Sequence, residues 1–122
     1  LPVAEKISVG IIPYFPLESG LLTGKYRKGA EDPEGSRLAK WGGAFKTDDK
    51  MDTVEAMRKY GESIDRSVLE LAMGRLTNRQ AVATVIAGVT TPEQVRQNAA
   101  AGTWELTADD IATLDQLTAG WV

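Results

Sequence analysis

The sequence predicts an α/β fold in which two parallel strands are joined by a long helical crossover. Two short segments, Ser8–Phe15 (SVGIIPYF) and Ala83–Ala87 (ATVIA), are apolar and rich in β-branched and aromatic residues. Between them runs a tract with helical spacing, clearest over Arg66–Thr77, where Leu69, Ala72, Met73 and Leu76 recur at i, i+3, i+4 and i+7. Two more helical patterns follow the second strand. Parallel neighbours need such a crossover, because the end of one strand and the start of the next lie at opposite ends of the sheet. Val9, Ile11 and Ile12 do not alternate with polar residues, so both strands read as buried on both faces. A pair of that kind has two open edges and cannot cover itself. The chain is therefore expected to be part of a larger sheet.

In chain order, Leu1–Lys6 reads as the tail of a helix and Ser8–Phe15 as the first strand. Leu21–Tyr26 reads as a turn or a short helical turn. Lys28–Ser36 (KGAEDPEGS) is a loop by composition, and Arg37–Phe45 a short helix or ordered coil interrupted at Gly42-Gly43. A helix is expected from Asp52 to about Glu62, with Val54, Met57 and Arg58 at helical spacing. Ser63–Asp65 breaks it before the Arg66–Thr77 helix. After the second strand, Thr91 is placed to cap a helix, Pro92 suits its first position, and Gln94 can reach back to close a capping box. That helix ends near Gly102. Thr107 caps a last helix, with Asp109 and Asp110 at its positive end and Ile111, Leu114 and Leu117 facing inward.

With 122 residues, 43% of them hydrophobic, the chain is long enough for one domain with a packed core. A net charge of −3 argues against nucleic acid as a partner, since phosphate contacts need a basic excess. The 122 residues include no Cys, which removes disulfides and thiol chemistry, and no His, which removes the commonest base at neutral pH and the commonest metal ligand. No apolar run approaches the ~20 residues of a membrane span. No signal peptide is read, so a cytoplasmic location is expected. The chain begins at Leu1 rather than Met, and its first residue is expected not to be the start of the gene.

The stretch PYFPLESGLLTGKY, Pro13–Tyr26, asks for more than a surface loop. It holds Leu17, Leu21 and Leu22 beside Gly20 and Gly24, and a basic residue follows. On these residues alone a tight turn with its leucines packed beneath is one reading. A backbone approached closely by an anion is the other, because glycine removes the Cβ and backbone N–H groups bind phosphate without a charged side chain.

PYFPLESGLLTGKYRKG, followed by GSR at Gly35–Arg37, resembles the loop after the seventh strand of the aldo-keto reductase superfamily. VIAGVTTPEQVRQNAAA resembles its eighth strand and the next helix, and ELTADDIATLDQL its C-terminal helix. The blocks occur in the family's order and cover essentially the whole chain. The resemblance implies that residues 1–122 are the C-terminal segment of a single (β/α)8 TIM barrel domain, carrying its seventh and eighth strands, their helices and the C-terminal helix. Such barrels run to ~250 residues, so the N-terminal part is expected to be missing. That part, or a self-association, would cover the open edges.

The family reduces aldehydes and ketones to alcohols with NADP(H), and the resemblance implies a small-molecule carbonyl substrate. The catalytic Asp, Tyr, Lys and His of the family lie on earlier strands, so no catalytic residue is carried over and the isolated chain is expected to be inactive. The cofactor site is carried over. Tyr14 matches the aromatic position that stacks on the nicotinamide. Pro16, Leu17, Glu18, Ser19 and Gly20 match the stretch along the pyrophosphate; Glu18 replaces a residue that is often small, so its side chain must point away. Lys25 and Arg37 match positions that reach the phosphate side, including the 2′-phosphate of the adenosine ribose. Gly88 ends the strand. Thr90 matches a hydroxyl that contacts that phosphate, and Gln94, Gln97 and Asn98 match positions around the adenine and its ribose. Some relatives carry Arg at the position of Gln94, which leaves the preference for NADP over NAD open.

Against these stand plainer roles. Lys25 and Arg37 also read as solvated surface charge, and Gln94 as part of its helix cap. Glu31–Glu34 (EDPE) reads as an acidic solvated loop or a hard-cation site. Trp41, Trp104 and Trp121 read as pocket lining or packing, and Trp121 as the start of a tail. A second class of function is also open: a non-catalytic nucleotide-binding or regulatory module with the same fold.

Overall fold

The computed structural model describes residues 1–41 and 43–121. Six α-helices are present among them: α1 (Pro2–Lys6), α2 (Arg37–Trp41), α3 (Asp48–Ser63), α4 (Val68–Thr77), α5 (Pro92–Gly102) and α6 (Ala108–Leu117). Three 3-10 turns lie at Glu18–Thr23, Gly43–Phe45 and Ala119–Trp121. Gly42 and the side chain of Trp41 lie outside the described residues.

Side-chain caps start the four longer helices. Thr47, Ser67, Thr91 and Thr107 each accept a hydrogen bond from the backbone N–H three residues on, meeting an N–H that has no partner within the helix. Glu70 and Asp110 return the bond to Ser67 and Thr107, closing two capping boxes. α3 thus begins at Asp48 rather than Asp52. The box expected at Thr91 closes differently: Gln94 Oε1 accepts from the N–H of Thr90 at 2.8 Å instead of from Thr91.

The two expected strands do not form. No strand occurs among the described residues, and the one parallel bridge among them joins Ile11 to Val82, just before the second segment. There Ile11 N donates to Ala81 O at 2.6 Å and Ala83 N to Ile11 O at 2.9 Å. Nor are these segments buried on both faces: Val9, Ile12 and Ile86 are 51%, 55% and 66% exposed. Local sequence limits the first segment. Ser8 and Phe15 both take positive φ, at 56° and 52°, which bounds the extended backbone, and Pro13 has no N–H to donate. A pair of strands without further strands or a covered face is also only marginally stable.

The core lies under α4. Leu71, Ala72 and Met73 pack with Met57 of α3, Ala101 of α5, Leu114 of α6 and Leu17 of the first loop. A second cluster joins Leu21 and Tyr26 to Leu38, Met51 and Val54, and Leu22 packs against both. Gly74 lets the α5–α6 connection approach α4, since a Cβ there would stand 2.5 Å from Leu106 Cδ1 and 3.2 Å from Trp104 Cε3. Asn78 fastens the same joint, donating to Trp104 O at 2.9 Å and accepting from Leu106 N at 3.1 Å. Trp104 is thereby a packing residue, with the guanidinium of Arg66 4.7 Å from its ring centroid.

Candidate functional site

The parallel bridge lies just before both candidate blocks in the chain. Tyr14 and Gly88 both come after the bridged residues, Ile11 and Val82, which run parallel. α4 supports both sides, packing on α5 and on the Glu18–Thr23 turn.

The first block is a turn of unusual backbone. Glu18, Ser19 and Gly20 take φ of 46°, 57° and 97° in succession, the left-handed region that side chains disfavour. Leu17 is buried beneath it in the main core and Leu21 in the second cluster. Two core contacts thus hold the strained residues between them. Part of the backbone is satisfied internally: Glu18 N donates to Phe15 O at 3.0 Å and Gly20 N to Leu17 O at 2.9 Å. The Ser19 hydroxyl is buried and has no hydrogen-bond partner among the described residues. Such a group carries a desolvation cost until something pairs with it.

Charge is sorted around this turn. The Glu18 carboxylate is paired with the Lys50 ammonium from α3. Lys25 Nζ lies 3.6 Å from the point where a Cβ on Gly20 would stand, and 5.3 Å from the centroid of the Tyr26 ring. Gly24 turns the chain toward it at φ 86°, against Val68 at the start of α4. Arg58 of α3 fixes that corner: its Nη2 donates to the carbonyls of Gly24 and Tyr26, both at 3.1 Å. Tyr14 is 86% exposed, its ring tilted 34° against Phe15 with centroids 4.3 Å apart. An open cleft of about 210 Å³ runs past it, lined by Pro16, Leu22, Arg75 and Trp121.

In the second block Gly88 faces open space, with no atom within 4 Å of where its Cβ would be. Thr90 and Gln94 form one unit, because Gln94 Oε1 accepts from both the N–H and the hydroxyl of Thr90, at 2.8 and 3.2 Å. Gln97 Nε2 donates to Glu93 at 3.2 Å, one turn back. Asn98 is half-buried beside a small apolar cleft lined by Val85, Ala87 and Val89. Arg37 is exposed on α2.

The structure thus gathers Leu17, Glu18, Ser19, Gly20 and Lys25 at one turn, with Tyr14 and Pro16 just before it. It places Gly88 and Thr90 on the segment entering α5, and Gln94, Gln97 and Asn98 in the first two turns of that helix. Sequence reading missed Lys50 and Arg58, which hold the turn from α3. No local pattern marks either lysine or arginine on a helix, and only the packing of α3 against the loop reveals them. Trp121 is no loose tail: it packs on the second cluster, 5.6 Å from the Lys50 ammonium. The EDPE loop holds Asp32 in an ion pair with Lys46 at 2.5 Å, and no group of three metal-ligating side chains occurs among the described residues. No helix among them is long and apolar enough to cross a membrane.

The sequence profile of the Aldo/keto reductase family matches residues 1–119. The chain belongs to this family. Its curated relatives include a putative voltage-gated potassium channel subunit beta of Schizosaccharomyces pombe, 32% identical across 96% of this chain and 36% of that protein. Another is the L-glyceraldehyde 3-phosphate reductase of Escherichia coli O157:H7, 27% identical across 95% and 35%. Among solved structures, the glycerol dehydrogenase of Gluconobacter oxydans superposes with a TM-score of 0.73 at 25% identity, over all of this chain and 38% of that one. The chain therefore spans just over a third of the length of these relatives.

Proposed function

We propose that this chain is the C-terminal segment of a cytoplasmic, NADP(H)-dependent aldo-keto reductase barrel that reduces aldehydes or ketones, and that it supplies much of the cofactor site. The observation that carries the reading is the Glu18–Gly20 turn. Three residues held in left-handed backbone, a buried serine hydroxyl with no partner, and a lysine ammonium over the glycine suit a diphosphate. The one carboxylate on the turn is neutralised by Lys50.

On this reading Tyr14 offers a ring face to the nicotinamide and Pro16–Gly20 line the pyrophosphate. Lys25 and Arg37 reach the phosphate side of the cofactor, the 2′-phosphate included, where a pair of cations favours NADPH over NADH. Gly88 leaves room for close approach, and Thr90, Gln94, Gln97 and Asn98 hold the adenosine end. Gln94 reaches it through its amide NH2, because its oxygen is taken by Thr90. The bound cofactor supplies a hydride to the carbonyl carbon. The proton comes from groups outside this chain.

Titration of the purified chain with NADPH and NADH, followed by nucleotide fluorescence, tests the site. Saturable binding, tighter for NADPH, is expected, with no NADPH oxidation when 4-nitrobenzaldehyde is added. No binding overturns the cofactor reading. Turnover overturns the placement of the catalytic groups elsewhere. The likeness to a protein named as a channel subunit favours a second reading, a regulatory module that holds the nucleotide. Aldehyde turnover by the whole gene product separates the two.

A further inference from the structure

We infer that Lys50 is a positioning residue for the phosphate-binding turn, keeping the Glu18 carboxylate off the face that an anionic cofactor uses. The inference rests on the cofactor reading above and names a control on that same site. Glu18 stands directly before Ser19 and Gly20, in left-handed backbone. A carboxylate so close to a diphosphate repels it unless another charge holds it aside. That charge comes from 32 residues away: Lys50, on the first turns of α3, pairs with Glu18 Oε1. The pair is largely covered, with the two side chains 27% and 21% exposed, so solvent screens it less than an open surface pair.

Lys50 is itself held in place. Its ammonium lies 5.6 Å from the centroid of the Trp121 ring, and Trp121 is packed on the cluster that contains Leu21 and Met51. Leu21 follows the turn and Met51 follows Lys50, so one cluster fixes both partners. Lys25 is arranged differently. Its ammonium stands beside Gly20 and the Tyr26 ring rather than on a carboxylate. The turn therefore has two lysines with separate tasks, one neutralising Glu18 and the other left to meet a ligand. Removing Lys50 frees Glu18 to oppose the phosphate or to capture Lys25, and either lowers affinity.

Four proteins test this: the wild type, Lys50→Ala, Glu18→Gln and the double variant, each titrated with NADPH. Lys50→Ala is expected to bind about fivefold to tenfold more weakly, the scale of one unfavourable charge contact near a protein surface. Glu18→Gln is expected to bind at least as well as wild type, and the double variant to recover wild-type affinity within about twofold, since the carboxylate causes the loss. Lys50→Arg, which keeps the charge, is expected to bind like wild type. A double variant as weak as Lys50→Ala would make the pair a plain structural tether and overturn the inference. Unchanged binding by Lys50→Ala would overturn it too while leaving the cofactor reading standing. A wild type that does not bind NADPH would remove both.

Discussion

The Lys25 ammonium lies 3.6 Å from where a β-carbon on Gly20 would stand, and Gly20 takes φ 97°. The backbone is thus the reason for glycine here. The alanine variant Gly20→Ala is expected to lose about 1–2 kcal/mol of stability from the left-handed backbone alone. The space itself is adequate, because the nearest atoms to that β-carbon are 3.5 Å or more away. Thermal unfolding should show a fall of several degrees. Unchanged stability would mean that the turn relaxes out of the left-handed region.

Arg37 separates the phosphate reading from surface charge. It stands exposed at the first position of α2, while the next residue, Leu38, is the one that packs into the second cluster. Arg37→Ala is expected to weaken NADPH about tenfold and NADH by less than about twofold, because only NADPH carries the 2′-phosphate. Equal loss for both nucleotides, or none, returns Arg37 to the surface.

Much of this architecture was legible where the code is local. Thr91 with Pro92, and Thr107 with Asp110, announce helix starts, and the structure begins α5 and α6 there. Thr47 and the Ser67–Glu70 box carried the same signal, and reading past Thr47 placed the start of α3 at Asp52. The strands were a different problem. Apolar β-branched runs report what a segment prefers when neighbours lie on both sides, and Val9, Ile12 and Ile86 stand half or more exposed. The candidate site was legible as residue types at family spacing. That Glu18 is tied to Lys50 was not, because the pairing depends on how α3 crosses the loop rather than on sequence neighbours.

Three carboxylates link stability to pH. Asp115 is held below its ordinary pKa first by the hydrogen bond from Arg79, with Arg75 adding to it against some desolvation. Asp110 is lowered first by the Tyr60 hydroxyl, at 2.6 Å, and Glu70 first by the Ser67 backbone N–H, at 2.8 Å. A folded pKa below the unfolded one gives stability that is present above the unfolded value and lost as pH falls through the folded value. The melting temperature is therefore expected to hold above about pH 5 and to fall progressively below about pH 4. Asp115→Asn should melt lower than wild type at pH 7 and lose less on acidification, because its carboxylate no longer titrates. A wild type and an Asp115→Asn variant with parallel pH curves would remove Asp115 from this linkage.

Arg58 offers the sharpest test of how α3 controls the loop. Its Nη2 donates to two carbonyls, Gly24 and Tyr26, and its Nε faces Glu55 at 3.5 Å. The side chain is only 16% exposed, so water cannot readily replace it. Arg58→Ala leaves two carbonyls short of a donor, while Glu55 keeps Arg27 at 3.3 Å, at an expected cost of about 2–3 kcal/mol. Lys25 lies between those two carbonyls in sequence, so the same change should loosen the ammonium over Gly20. Arg58→Lys keeps a charge but loses the planar fork, and should fall between the two. The measurement is a pair of curves, urea unfolding and NADPH titration, on all three proteins. If Arg58→Ala lowers stability and leaves NADPH affinity untouched, the Gly24–Tyr26 corner braces the fold without positioning Lys25. Parallel losses in both would make α3 the element that sets the shape of the cofactor loop.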